Sequence, residues 1–143
     1  MDISSLFVPL WASSEPLTYV QTPVTAGFPS PADDYLQGRL NLQELLVQHP
    51  AATFFMRVAG DSMTPCGIFS GDVLVVDRSL TPKDGSVIIG ELAGAFTVKR
   101  LRQAQGTIML VSDNPEYPPI TVTADMEFAV WGVVTHVIHG LQS

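Results

Sequence analysis

A chain of 143 residues with 46% apolar and 15% charged side chains can bury one hydrophobic core and is too apolar to stay unfolded. Fourteen acidic against seven basic residues give a net charge of −7. The one basic cluster, Lys99, Arg100 and Arg102, falls within a single predicted strand, which argues against a direct grip on nucleic acid. Cys66 is the only cysteine, so no intramolecular disulfide can form, as suits a reducing compartment. No Lys or Arg precedes Arg39, and no stretch approaches the roughly 18 to 20 apolar residues of a membrane span. The expectation is a soluble cytoplasmic protein, without a membrane partner.

Residues 1–32 hold five of the eleven prolines, Pro9, Pro16, Pro23, Pro29 and Pro31, and no sustained period. Proline removes a backbone donor and breaks both helices and central strands. This segment therefore reads as an extended, loosely held arm able to lie across the domain, or as a disordered tail. A short helical turn is predicted around Asp33–Gln37. Asn41 then caps a helix over Leu42–Gln48, with Glu44 three residues on as in a capping box, and Pro50 ends it. Leu42, Leu45 and Leu46 share one face of that helix.

From Thr53 the pattern is β. Strands are predicted at Thr53–Val58, Asp72–Asp77, Ser86–Leu92, Ala95–Arg102, Thr107–Val111, Ile120–Thr123 and Phe128–Ile138. They are rich in Val, Ile, Phe and Thr, and turn residues at Pro82–Gly85, Ala93–Gly94 and Gln105–Gly106 separate them. Seven short strands and one firm helix make a mostly-β domain, and a strongly bent, partly closed sheet would limit its exposed edges.

Two residues could carry chemistry. Ser62, in Ala59-Gly60-Asp61-Ser62-Met63, lies between a strand and a Pro/Gly-rich loop, where a nucleophile or a plain turn serine would both fit. Thr64 occupies the second glycine position of G-x-S-x-G, so this is no nucleophile elbow. A serine needs a base. His49 sits at the predicted helix end, where it could help the last carbonyls, and His136 and His139 lie three apart on a strand, on opposite faces. That placement suits neither a metal pair nor an evident base, and no metal or cofactor is expected. Lys99 shares a strand face with Thr97 and Leu101. A lysine in water is protonated at neutral pH, but burial can lower its pKa by several units and make it a base. Taken alone, a strand lysine is as readily a solvated surface residue.

Several separate blocks resemble the UmuD family in one order. They are Gly27 to Tyr35 (GFPSPADDY), Asn41 to Pro50 (NLQELLVQHP), Ala59 to Met63 (AGDSM), Gly71 to Asp77 (GDVLVVD), Phe96 to Leu101 (FTVKRL) and Gly132 to Ile138 (GVVTHVI). The resemblance runs from about Ala26 to about His139. It implies a Ser–Lys peptidase with Ser62 as nucleophile and Lys99 as general base, cutting the chain's own Ala26–Gly27 bond. Residues 1–26 would then be an arm removed by self-cleavage, and residues 27–143 a β domain of the type shared by LexA repressors and signal peptidases. It further implies a DNA-damage (SOS) setting: stimulation by a RecA–single-stranded-DNA filament, a homodimer, and a UmuC-type translesion polymerase as partner. Two other readings compete. One is a dimeric binding module with an idle peptidase site. The other is the regulatory half of a LexA- or phage-type repressor, for which the 26 residues before the cut hold no basic residue and no helix-turn-helix pattern.

Overall fold

The computed structural model describes residues 1–7, 17–20 and 37–142. The expected scissile pair Ala26–Gly27 and most of the helical turn expected at Asp33–Gln37 lie outside the described residues. The chain divides into two units, Met1–Pro9 with His49–Ser143, and Leu10–Gln48.

In the smaller unit, strands β2 (Leu17–Val20) and β3 (Gln37–Leu40) pair antiparallel, from Leu17 opposite Leu40 to Val20 opposite Gln37. Helix α1 (Leu42–Leu46) follows, and Asn41 caps it as expected, its side chain accepting the Glu44 N–H at 3.2 Å. The helix ends two residues earlier than predicted. On its leucine face Leu42 and Leu45 are exposed and Leu46 is half-buried.

The larger unit is an eight-stranded antiparallel sheet built from β1 (Asp2–Phe7), β4 (Thr53–Ala59), β5 (Val73–Asp77), β6 (Val87–Leu92), β7 (Ala95–Ala104), β8 (Thr107–Val111), β9 (Ile120–Thr121) and β10 (Phe128–Ile138). Six strands run β1-β4-β5-β10-β6-β7, and the pairing of Asp2 with Thr97 joins β1 back to β7, closing a barrel. Strands β8 and β9 extend the sheet beyond β7. The predicted mostly-β fold is therefore present, and closed through a strand that composition had placed in a loose arm.

Local chemistry explains the connections. Ala93–Gly94 and Gln105–Gly106 have positive φ at both residues, the mark of the tight hairpin turns that suit the twist of paired strands. The long β10 serves two partners, β6 through Phe128–Val133 and β5 through Val133–Ile138. Its register shifts beside Gly132, where an added Cβ would lie 2.6 Å from the Val76 Cγ1. Glycine lets β10 pass that close to β5 and turn the corner of the barrel.

The barrel encloses Met1, Met56, Val58, Met63, Ile68, Leu74, Val76, Ile89 and Val98. A second, smaller cluster of Ile88, Leu101 and Leu110, with Ile108, Ile120, Phe128 and Val130, covers the other face of β6 and β7. Apolar cover on both faces explains why Ile88–Gly90 of β6 are buried in an unbroken run instead of alternating.

Candidate active site

Ser62 stands just beyond the end of β4. Gly60 takes φ +106°, a conformation that L side chains rarely adopt, and turns the chain out of the strand. A short helical turn over Thr64–Cys66, opened by Pro65, closes the other side, with the Thr64 N–H and hydroxyl both donating to the Asp61 carbonyl at 3.3 and 3.1 Å. A third support comes from the segment after β8: the Asn114 N–H donates to the Ser62 carbonyl at 3.0 Å and its side-chain amide to the Asp61 carbonyl at 3.2 Å. The Tyr117 hydroxyl donates to the Asp61 carboxylate, and that bond pushes the phenol pKa up. Ser62 is 1% exposed, and its Oγ is a buried polar atom with no hydrogen-bond partner among the described residues. Such a hydroxyl costs free energy to bury and calls for an explanation.

Lys99 sits mid-strand in β7, paired with Ile88. It shares a face with Leu101, so the smaller cluster that buries Leu101 also takes Lys99 out of water, leaving it 8% exposed. Its Nζ donates to the Ser112 Oγ at 2.6 Å and lies 5.5 Å from the centre of the Tyr117 ring. Burial pushes the Lys99 amine below its ordinary value, against the upward pull of a hydrogen bond with the Met1 amine and of the Asp2 carboxylate. Desolvation of this kind makes an amine available as a base nearer neutral pH.

One short segment joins the two residues. Ser112 holds the Lys99 amine, Asn114 holds the Ser62 backbone, and Asp113 between them is gripped by Arg100. The Arg100 Nε and Nη2 meet the two carboxylate oxygens at 3.0 and 2.7 Å, while Nη1 donates to the Gly85 carbonyl at 2.7 Å. The guanidinium holds the Asp113 carboxyl below the usual range. Consecutive residues of β7 thus clamp consecutive residues of the segment, Lys99 on Ser112 and Arg100 on Asp113.

The start of the chain completes the surroundings. The Met1 carbonyl accepts the Val98 N–H at 2.9 Å and the Thr97 hydroxyl at 3.3 Å, and Asp2 pairs with both Ala59 and Thr97. Met1 and Asp2 therefore lie between the strand that leads to Ser62 and the strand that carries Lys99.

The other candidates are placed elsewhere. His49 does not serve the helix carbonyls. Its ring bonds the buried Asp77 carboxylate at 2.6 Å, and His139 does the same for Asp72 at 2.5 Å. Both carboxylates lie at strand ends, where a histidine partner offsets the cost of burial. Cys66 is half-buried against the barrel core, its thiol donating to the Met63 carbonyl at 3.2 Å and pushed up in pKa by burial and by Asp113. Among the described residues no helix is long and apolar enough to cross a membrane, and no group of three or more His, Cys, Asp and Glu could hold a metal ion. Ser112, Asp113, Asn114 and Tyr117 were not singled out from sequence. The one available signal was the Ser-Asp-Asn-Pro turn run after a strand, which marks a loop and not a site.

Comparison with known proteins agrees with this architecture. The Peptidase S24-like family model matches residues 18–135. Protein ImpA of Salmonella typhimurium is 46% identical over 115 residues, covering 80% of this chain and 77% of that protein. Protein SamA of Salmonella typhimurium strain LT2 is 45% identical over 131 residues, 92% of this chain and 89% of its own. The LexA repressor of Dechloromonas aromatica is 38% identical over 121 residues, 84% of this chain but 60% of the repressor. The closed, mostly-β barrel agrees with the fold of an S24-like peptidase. The chain belongs to that family, among its UmuD-like members.

Proposed function

We propose that this protein is a self-cleaving serine endopeptidase of the SOS response in which Ser62 is the nucleophile, Lys99 the general base and Ala26–Gly27 the scissile bond. The observation that carries the reading is a pair of buried polar groups held by one segment. The Ser62 hydroxyl lacks a partner among the described residues, and the Lys99 amine is shielded from water and lowered in pKa. A serine hydroxyl is a poor nucleophile without a base, and a desolvated lysine is a base suited to it.

The neutral Lys99 amine takes the Ser62 proton as Oγ attacks the Ala26 carbonyl carbon. Backbone N–H groups at Ser62 and Asp61 stabilise the resulting oxyanion. The intermediate collapses, the C–N bond breaks, and the Lys99 ammonium returns its proton to the departing Gly27 nitrogen. Water, losing a proton to Lys99, then attacks the acyl ester; the bond to Oγ breaks, Oγ takes the proton back from Lys99, and the Ala26 carboxyl group is freed. Because the substrate is tethered, arm position and not concentration sets the rate. A RecA–single-stranded-DNA filament stimulates the cut. The trimmed chain, as a homodimer, serves a UmuC-type polymerase in translesion synthesis, in the cytoplasm and without a metal or cofactor.

The test is incubation of the purified chain from pH 7 to 11, with and without a RecA filament, followed by N-terminal sequencing. A fragment beginning at Gly27, faster at high pH and lost in Ser62→Ala, is the expected result. A folded chain left intact under every condition overturns the peptidase reading and leaves a binding module with an idle site.

A further inference from the structure

Lys99 can serve as a base only if its lone pair faces Ser62. A neutral lysine amine has two N–H bonds and one lone pair on a flexible stem, so something must fix its rotation. Thr97, two residues earlier on the same face of β7, is unsuited because its hydroxyl is bonded to the Met1 carbonyl. The 2.6 Å bond to the buried Ser112 is the strong contact left to the amine.

We propose that Ser112 is the positioning residue of the general base, its hydroxyl accepting one Lys99 N–H so that the lone pair is directed to Ser62. The inference rests on the Ser62–Lys99 reading above. Ser112 is well fitted to the task because it is itself immobilised from both sides. Val111 before it pairs with Arg100, Asp113 after it is clamped by the Arg100 guanidinium, and Asn114 is tied to the Ser62 carbonyl. Movement of the nucleophile loop and of the base would therefore be correlated through three residues. The other groups facing the amine are the Met1 amine and Asp2 of β1 and the Tyr117 ring, whose hydroxyl is engaged by Asp61. None of these is a neutral acceptor bonded to Nζ at so short a distance.

The chain has only two lysines, Lys83 and Lys99, so lysine labelled with 13C at Cε reports the Lys99 titration directly, apart from the Met1 amine. In full-length Ser112→Ala the buried ammonium loses an acceptor. Its midpoint should move to lower pH, the rise of the cleavage rate with pH should move with it, and the high-pH plateau should fall about ten-fold through lost orientation. Ser112→Thr restores the hydroxyl and should restore all three. Ser112→Cys, similar in size but a weak acceptor, should behave like Ser112→Ala and provides a second folded variant. Folded Ala and Cys variants whose Lys99 titration and rate profile superimpose on those of the unmodified chain would show that Ser112 only packs, and would end this inference while leaving the dyad in place. If the unmodified chain is never cut, the dyad reading fails, and the role of Ser112 fails with it.

Discussion

Ser62 and Lys99 are buried to a similar extent, yet the chain buries them by different means. Ser62 is placed by local backbone geometry. A left-handed Gly60 turns the chain out of β4, a Pro65 turn closes the loop, and the hydroxyl has no partner among the described residues. Lys99 has ordinary strand geometry, and its surroundings come from residues far along the chain: the Leu101–Leu110 cluster, Ser112 and the first two residues. The turn at Ser62 is thus shaped by its neighbours and braced from afar by Asn114, whereas the whole environment that depresses Lys99 is tertiary.

Variants that break each half separate the two routes. The largest effect is expected from Ser62→Ala and Lys99→Met, each lowering self-cleavage by about 10⁴-fold, with the double variant little worse than either because the residues act as a unit. Gel densitometry of the cleaved fraction over time measures this. An additive double variant would show that they do not share a step.

Lys99→Met also tests burial. The folded state holds the Lys99 proton more weakly than the unfolded chain does. Its charge therefore costs stability below the folded pKa, and that cost is relieved as pH rises from the folded value toward the ordinary one near 10.4. Lys99→Met should melt higher than the unmodified chain at pH 7, with the gap narrowing as pH rises. A lower melting temperature at pH 7 would show that Lys99 contributes more by packing than its burial costs.

Core truncation sharpens the contrast between the two clusters. Met56→Ala, inside the barrel, and Leu110→Ala, beneath β7, should each cost about 2–5 kcal/mol in urea unfolding. Only Leu110→Ala should admit water near Lys99 and move the pH dependence of cleavage to higher pH. Equal profiles in the two variants would sever the smaller cluster from the base.

The smallest effect belongs to the Arg100–Asp113 clamp. Asp113 has a depressed folded pKa, so its stabilisation is present above the ordinary carboxylate value near 3.9 and is lost as pH falls through the folded value. Arg100→Ala should cost about 1–3 kcal/mol at pH 7, with the difference shrinking on acidification. A difference unchanged between pH 7 and pH 2, read by circular dichroism, would mean that Arg100 acts through its stem and its Gly85 hydrogen bond and not through Asp113.

Much of this was legible beforehand because it is local. Alternating Val, Ile and Thr with Gly-containing turns located strands β4 to β10 to within about two residues, and the Asn41–Glu44 capping pair located α1. The first three strands were missed. Residues 2–7 are few, flanked by a proline-rich stretch, and their place in the barrel depends on pairing with Arg57 and its neighbours some fifty residues away. His49 was misread and the partner of His139 not foreseen for the same reason, since they find their carboxylates 28 and 67 positions away.

The sequence by itself therefore determined the β architecture, its turns, and the two residues on which the chemistry is proposed to rest. Periodicity and turn preference are properties of neighbouring residues, and the family blocks preserve their order. Only the tertiary structure decided that β1 closes the barrel, that Ser112, Asp113 and Asn114 join lysine to serine, and that Lys99 is taken out of water. Desolvation and hydrogen-bond partnership arise when segments distant in sequence are packed together, and no local pattern encodes them.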